Sequence, residues 1–141
     1  MRAKEFHYDV TLEDGGRMVA DETSPLEHAE GWKPDHYLVA ALLRCTLESL
    51  QYHADRAGLD ASGRASGHAM VTKRQSDERY GLVEISAALE VAVEPDPGDD
   101  ALAELLAKAE RDCFVGASLT KAPDYTWKVN GRAVRPRAAP S

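Results

Sequence analysis

The sequence holds no CxxC pair, no HExxH and no glycine-rich phosphate loop, and its five histidines lack tight ligand spacing. A chelated metal is therefore a poor fit, and nothing marks a nucleotide site, so no cofactor is expected. No apolar run approaches the roughly 20 residues of a membrane span. Residues 1–8 carry charge but no apolar stretch of the kind found in a secretory leader, so a cytoplasmic protein is expected. With only two cysteines, Cys45 and Cys113, a disulfide framework of the secreted type is excluded. Excess positive charge is missing too: 17 lysines and arginines face 24 acids, for a formal net charge of −7. That balance opposes nucleic acid and anionic membrane as partners. The basic cluster Arg132, Arg135 and Arg137 falls in a Pro/Ala-rich stretch, 132–141, which reads as a flexible solvated tail. Repeats and linkers are absent, so residues 1–131 are expected to form a single domain around one core.

What is present alternates in a readable way. Phe6, Tyr8, Val10 and Leu12 recur at period two, a half-buried strand. Glu13-Asp14-Gly15-Gly16 then makes a hairpin turn, Arg17 to Ala20 returns, and residues 21–33 read as a loop. Pro34 and Asp35 suit the first turn of a helix running to about Ala57 and stopped by Gly58. One side of that helix carries Val39, Leu43, Leu47, Leu50 and Ala54. The other carries Leu38, Ala41, Leu42, Cys45, Ser49 and Tyr52, so both sides need cover. Residues 67–74 and 81–94 read as a second hairpin, with Val83, Ile85, Ala87, Leu89, Val91 and Val93 facing one way. Pro95 to Gly98 breaks it. Asp99 and Asp100 cap a helix that buries Leu102, Leu105, Leu106 and Ala109. A last strand, with Tyr125, Trp127 and Val129 inward, ends at Asn130-Gly131. The order ββ–α–ββ–α–β is that of an α+β fold with a long central helix.

Two residues in this layout carry distinctive chemistry. Cys45 lies mid-helix and Cys113 at the end of the following helix, so only the fold can bring them together. In a reducing compartment each could equally be a small buried hydrophobe. His53 is two turns beyond Cys45, about 12 Å along the axis, too far to serve as its base from the same helix.

The run from Pro34 to Thr46, Pro-Asp-His-Tyr-Leu-Val-Ala-Ala-Leu-Leu-Arg-Cys-Thr, resembles the central helix of the OsmC/Ohr family. These are the osmotically inducible and organic hydroperoxide resistance proteins, in which a Pro-acid-x-x-L-x-A-A-x-x-x-C pattern carries a reactive cysteine. Cys113-Phe-Val-Gly-Ala-Ser-Leu119 is similar to the family's C-P-V-S-x-x-L segment, which holds the second cysteine. The element order agrees, so the resemblance spans roughly residues 4–131.

The resemblance implies an intertwined homodimer with two sites at its interface that reduces organic hydroperoxides with thiols. Cys45 is then the peroxidatic residue and Cys113 the resolving one, the pair closing to a disulfide after a sulfenic acid forms. The electron donor is a dithiol whose identity the sequence does not give. An ordinary thiol is only a few per cent ionised near neutral pH, so a cation must help. The family uses an arginine held by an acid, and the positions that match are Arg17 and Asp35. Asp35 stands where glutamate is usual, Phe114 replaces a proline, and the segment from Arg17 to Cys45 is short for the family. Asp35 and Cys45 share one helix about 15 Å apart along its axis, which points Asp35 at the partner chain's site. The alternative is a non-catalytic dimer of the same fold, binding a small apolar molecule or acting as a slow redox sensor.

Overall fold

The computed structural model describes residues 3–138 and divides them into an N-terminal unit up to Lys33 and a C-terminal unit from Pro34. Met1, Arg2 and residues 139–141 of the expected tail lie outside the described residues.

In the N-terminal unit β1 (Val10–Leu12) pairs antiparallel with β2 (Met18–Ala20). Gly15 and Gly16 take positive φ at the turn, as a tight reversal there requires. Leu26 adds a bridge to Met18. The expected strand from Phe6 is only half realised. Phe6, Tyr8, Val10 and Leu12 stay 65–76% exposed, because a two-stranded ribbon has no second layer to bury them.

The C-terminal unit is built on helix α1 (Pro34–Arg56), with Asp35 in its first turn and His53 and Arg56 in its last. Leu42, Thr46, Leu50 and Ala54, one turn apart, form its fully buried line. Burying a leucine side chain contributes about 1.5–3 kcal/mol. Val39, Leu43 and Leu47 pack around that core. Of the second apolar stripe, Leu38, Cys45 and Ser49 are half-buried, while Ala41 and Tyr52 are exposed.

Strand β3 (Asp60–Lys73) pairs antiparallel with β4 (Tyr80–Glu94), and β5 (Asp124–Val129) joins β4 in parallel. Between β4 and β5 come helix α2 (Asp99–Arg111) and a single turn, α3 (Phe114–Ala117). Ile85, Ala87, Leu89, Val91 and Val93 of β4 meet Leu102, Leu105, Leu106 and Ala109 of α2, Trp127 and Val129 of β5, and α1 in one core. The alternation seen in the sequence is kept, except at Val83. That residue is the unpaired extra one of a bulge between Met70 and Val71, which leaves Leu82 half-buried beside it. Gly98, not an aspartate, is the N-cap of α2. Asp99 and Asp100 occupy its first turn, where they favour the helix dipole.

The sheet also continues past Gly131. Asn130 and Gly131 both take positive φ, and Arg132–Ala133 returns as β6 beside β5, giving the order β3-β4-β5-β6. The described start of the expected tail is thus tied down. Val134 is buried, and Arg132 bridges Asp96 and Asp99.

Gly67 of β3 sits directly under α1. A Cβ there would lie 2.6 Å from Val39 Cγ1 and 3.2 Å from Leu43 Cδ2, so the missing side chain lets the helix lie close to the sheet. Gly67→Ala is expected to cost about 1–3 kcal/mol by overpacking, read as a lower urea midpoint. Ser66→Ala, at an exposed neighbour, is expected to move it by less than about 0.5 kcal/mol.

Candidate active site

Cys45 is half-buried on the open side of α1, and Cys113 is fully buried between α2 and α3. The fold brings the two cysteines near each other, close enough for Cys113 to influence the ionisation of Cys45. Cys113 is placed by the break between the helices. Asp112 caps α2, and Cys113 opens the turn of α3, where its carbonyl accepts from the Ala117 N–H at 3.0 Å.

Burial pushes the Cys45 thiol up, because a thiolate loses solvation there. The backbone N–H groups of Val115 and Phe114 pull the other way, and Cys113 raises it further. A proline at position 114 would have no N–H to give. The departure from the family pattern therefore adds a donor to the Cys45 sulfur. None of these leading influences is a cationic side chain.

Around Cys113 stand two hydroxyls that have no chemical role in the sequence reading: Thr46 is only the end of the matched run, and Tyr125 reads as an inward strand residue. Thr46 Oγ1 lies 2.8 Å from the Leu42 carbonyl oxygen and 3.3 Å from Cys113 Sγ. The phenol of Tyr125 interacts with both Thr46 and Cys113. The signal for Thr46 was available: it interrupts the row Leu42, Leu50, Ala54 with a hydroxyl. Tyr125 had no such signal, since inward aromatics of a strand are usually core.

Asp35 is set apart from this pair. Asp35 is at the N-terminal end of α1, about 15 Å from Cys45 along the axis. Arg17 belongs to the N-terminal unit, where its guanidinium donates to Glu13 at 2.7 Å. That carboxylate, with Glu27, holds the Arg17 pKa above its ordinary value.

His53 has a different role from the one considered for it. Its Nε2 meets Asp112 Oδ2 at 2.7 Å, tying the end of α1 to the residue before Cys113. Asp112 is held down to about 2, first by Arg111 beside it and then by His53. A depressed carboxylate contributes stability above its unfolded range and loses it as pH falls from about 4 to about 2. With the Asp112 side chain 43% exposed, the gain is under about 1 kcal/mol. Asp112→Asn should therefore unfold slightly more easily near neutrality, with the difference from the parent vanishing at pH ~2 in urea titrations.

Among the described residues no group of three or more His, Cys, Asp or Glu side chains could hold a metal ion, and no helix is long and apolar enough to cross a membrane.

Several solved structures share this architecture. An OsmC-like protein from Mycoplasma pneumoniae superposes with a TM-score of 0.68 at 17% identity, covering 91% of this chain and 99% of that one. An OsmC-like protein of unknown function from Vibrio cholerae gives 0.67 at 16% identity, covering 89% and 99%. The organic hydroperoxide resistance protein OhrB of Bacillus subtilis gives 0.52 at 18%, covering 88% and 96%. At such identities the likeness is one of fold. No protein of curated function matches the sequence. The family model for OsmC-like proteins matches residues 27–128, from the end of the N-terminal unit through both cysteines to β5, and the chain belongs to that family.

Proposed function

We propose that this protein is a thiol-dependent peroxidase that reduces organic hydroperoxides by cycling between a Cys45/Cys113 dithiol and an intramolecular disulfide. The observation that carries this is the pairing of a half-buried thiol with a fully buried one set near it. The first can meet a substrate, and the second can reach only the first. The Cys45 thiolate attacks the peroxide O–O bond, the alcohol leaves, and a sulfenic acid forms. Cys113 then displaces hydroxide from that sulfur, giving disulfide and water. The apolar surroundings of Cys45 favour an alkyl or lipid hydroperoxide over hydrogen peroxide.

We further propose a cytoplasmic homodimer with shared sites. Three observations support it. Phe6, Tyr8, Val10 and Leu12 are uncovered in the N-terminal unit. Within the C-terminal unit β3 is an edge strand of 14 residues. Leu38 and Ser49, on the same side of α1 as Cys45, are only half-buried, leaving apolar surface that a second copy could cover. The cation Cys45 needs is assigned to Arg17, with Asp35 of the partner chain fixing it.

A second reading, a dimer that binds an apolar molecule or senses oxidants slowly, is favoured by the upward push on the Cys45 thiol. Steady-state assays with dithiothreitol as donor separate the two. The peroxidase consumes cumene hydroperoxide over many turnovers and much faster than hydrogen peroxide, whereas a binder or sensor reacts at most once.

A further inference from the structure

We infer that Thr46 and Tyr125 receive the Cys113 sulfur as the leaving thiolate when the Cys45–Cys113 disulfide is reduced, so that an incoming dithiol must attack at Cys45. This rests on the disulfide cycle proposed above and adds its direction and its acid side.

The direction follows from access. Cys113 is 0% exposed while Cys45 reaches the surface, so an external thiolate can approach only the Cys45 sulfur. Thiol–disulfide exchange needs a leaving sulfur whose charge is accommodated, and a fully buried thiolate without donors is costly. The structure supplies two donors. Thr46 has one proton, and its Oγ1 lies 2.8 Å from the Leu42 carbonyl oxygen and 3.3 Å from Cys113 Sγ. A hydroxyl rotates to suit. With Cys113 as thiol it serves the carbonyl, and with Cys113 as thiolate it turns to the sulfur.

Tyr125 stands beside the same sulfur and beside Thr46. Burial holds its phenol well above the ordinary range, so it remains a donor. Room for it is made by Gly116, where a Cβ would lie 2.7 Å from Tyr125 Oη. The family pattern C-P-V-S has serine at that position. In this chain the phenol oxygen fills that space instead. Tyr125 and Gly116 also line a cavity of about 880 Å³ with Ala107, Glu110 and Pro123, which gives water a path to the phenol.

The step balances as follows. The donor's thiolate bonds to Cys45 Sγ as the S–S bond breaks, and the bond's electron pair passes to Cys113 Sγ. Thr46 and Tyr125 donate hydrogen bonds to that charge, keeping their own protons, until a proton delivered by water reaches the sulfur and gives the Cys113 thiol. The donor's second thiol then displaces Cys45, closing the donor's own disulfide. Two electrons have moved from the donor to the protein.

The test uses full-length protein with the disulfide formed by diamide, so it does not depend on peroxide chemistry. Reduction with the monothiol 2-mercaptoethanol is quenched in acid, and the mixed disulfide is located by peptide mass spectrometry. The adduct is expected on Cys45, with Cys113 free. Tyr125→Phe and, independently, Gly116→Ala, which displaces the phenol, should each slow reduction about tenfold. An adduct on Cys113, wild-type reduction rates in both variants, or failure of diamide to form the disulfide would overturn the inference. If diamide-oxidised protein behaves as expected but cumene hydroperoxide leaves Cys45 reduced, the peroxidase proposal falls and this one stands.

Discussion

Cys45→Ser is expected to lower the consumption of cumene hydroperoxide by more than about a thousandfold, the scale at which a covalent nucleophile matters. A serine hydroxyl is not ionised near neutrality and is a far poorer nucleophile toward an O–O bond than a thiolate. The side chain is half-buried and close in size to the one replaced, so folding should survive. Cys113→Ser is expected to behave differently. One oxidation at Cys45 should still occur, leaving a sulfenic acid that dimedone traps, while turnover with a dithiol donor stops. Full turnover in Cys113→Ser would remove the resolving role. The acid dependence separates the variants further. Because burial pushes the Cys45 thiol up, the first oxidation should speed up as pH rises wherever the thiol form predominates. Removing the assigned cation in Arg17→Ala should move that rise to higher pH. Since a positive charge favours the thiolate, a shift the other way would exclude Arg17 from the site.

The second large effect concerns Asp35. Asp35→Ala should impair each homodimer by at least about tenfold, whereas a heterodimer of Asp35→Ala with Cys45→Ser chains should recover one working site. The reason is reach. Asp35 and Cys45 belong to one helix about 15 Å apart along its axis, and an aspartate side chain spans only a few ångströms. If Asp35 fixes the arginine beside a reactive sulfur, that sulfur belongs to the other chain. Two central helices crossing antiparallel would bring each N-terminus toward the other's midpoint. The contact would cover Leu38 and Ser49, and an interface of this kind should bury well over about 1,000 Å². Should Asp35 only favour the helix dipole, its removal would cost about 0.3–1 kcal/mol and mixing the chains would restore nothing. Monomeric behaviour at micromolar concentration would contradict the shared site altogether.

Much of the fold was legible because three elements obey one dominant force each. The buried rows of β4 and α2 were read residue by residue from hydrophobic period, Val83 aside. Proline, glycine and the acid of the first turn fixed α1 to within a residue of Ala57. What escaped was structure imposed from outside a segment. Residues 61–66, Ala-Ser-Gly-Arg-Ala-Ser, show no alternation, yet they are strand because β4 offers them a full ladder and α1 lies close over the neighbouring Gly67. β6 escaped although Asn130-Gly131 is a strong hairpin signal. The arginines beyond it suggested solvent, but Arg132 is held by Asp96 and Asp99. At the site, the resemblance identified both cysteines, and the fold brings them together. The hydroxyls around Cys113 were hidden because Thr46 and Tyr125 each occupy a position whose ordinary use is packing. They become chemical only when α3 delivers a sulfur to them.

The most direct test of the central claim is a thiol count after a single equivalent of cumene hydroperoxide. The protein has two cysteines, both free in this structure. Peroxide is added without any donor, remaining thiols are capped with N-ethylmaleimide, and the digest is analysed by mass spectrometry. The account predicts that both thiols disappear together within each chain, the mass falls by two hydrogens, and one peptide pair joins Cys45 to Cys113. Recovery of both cysteines capped, or a disulfide found only between chains, would contradict it.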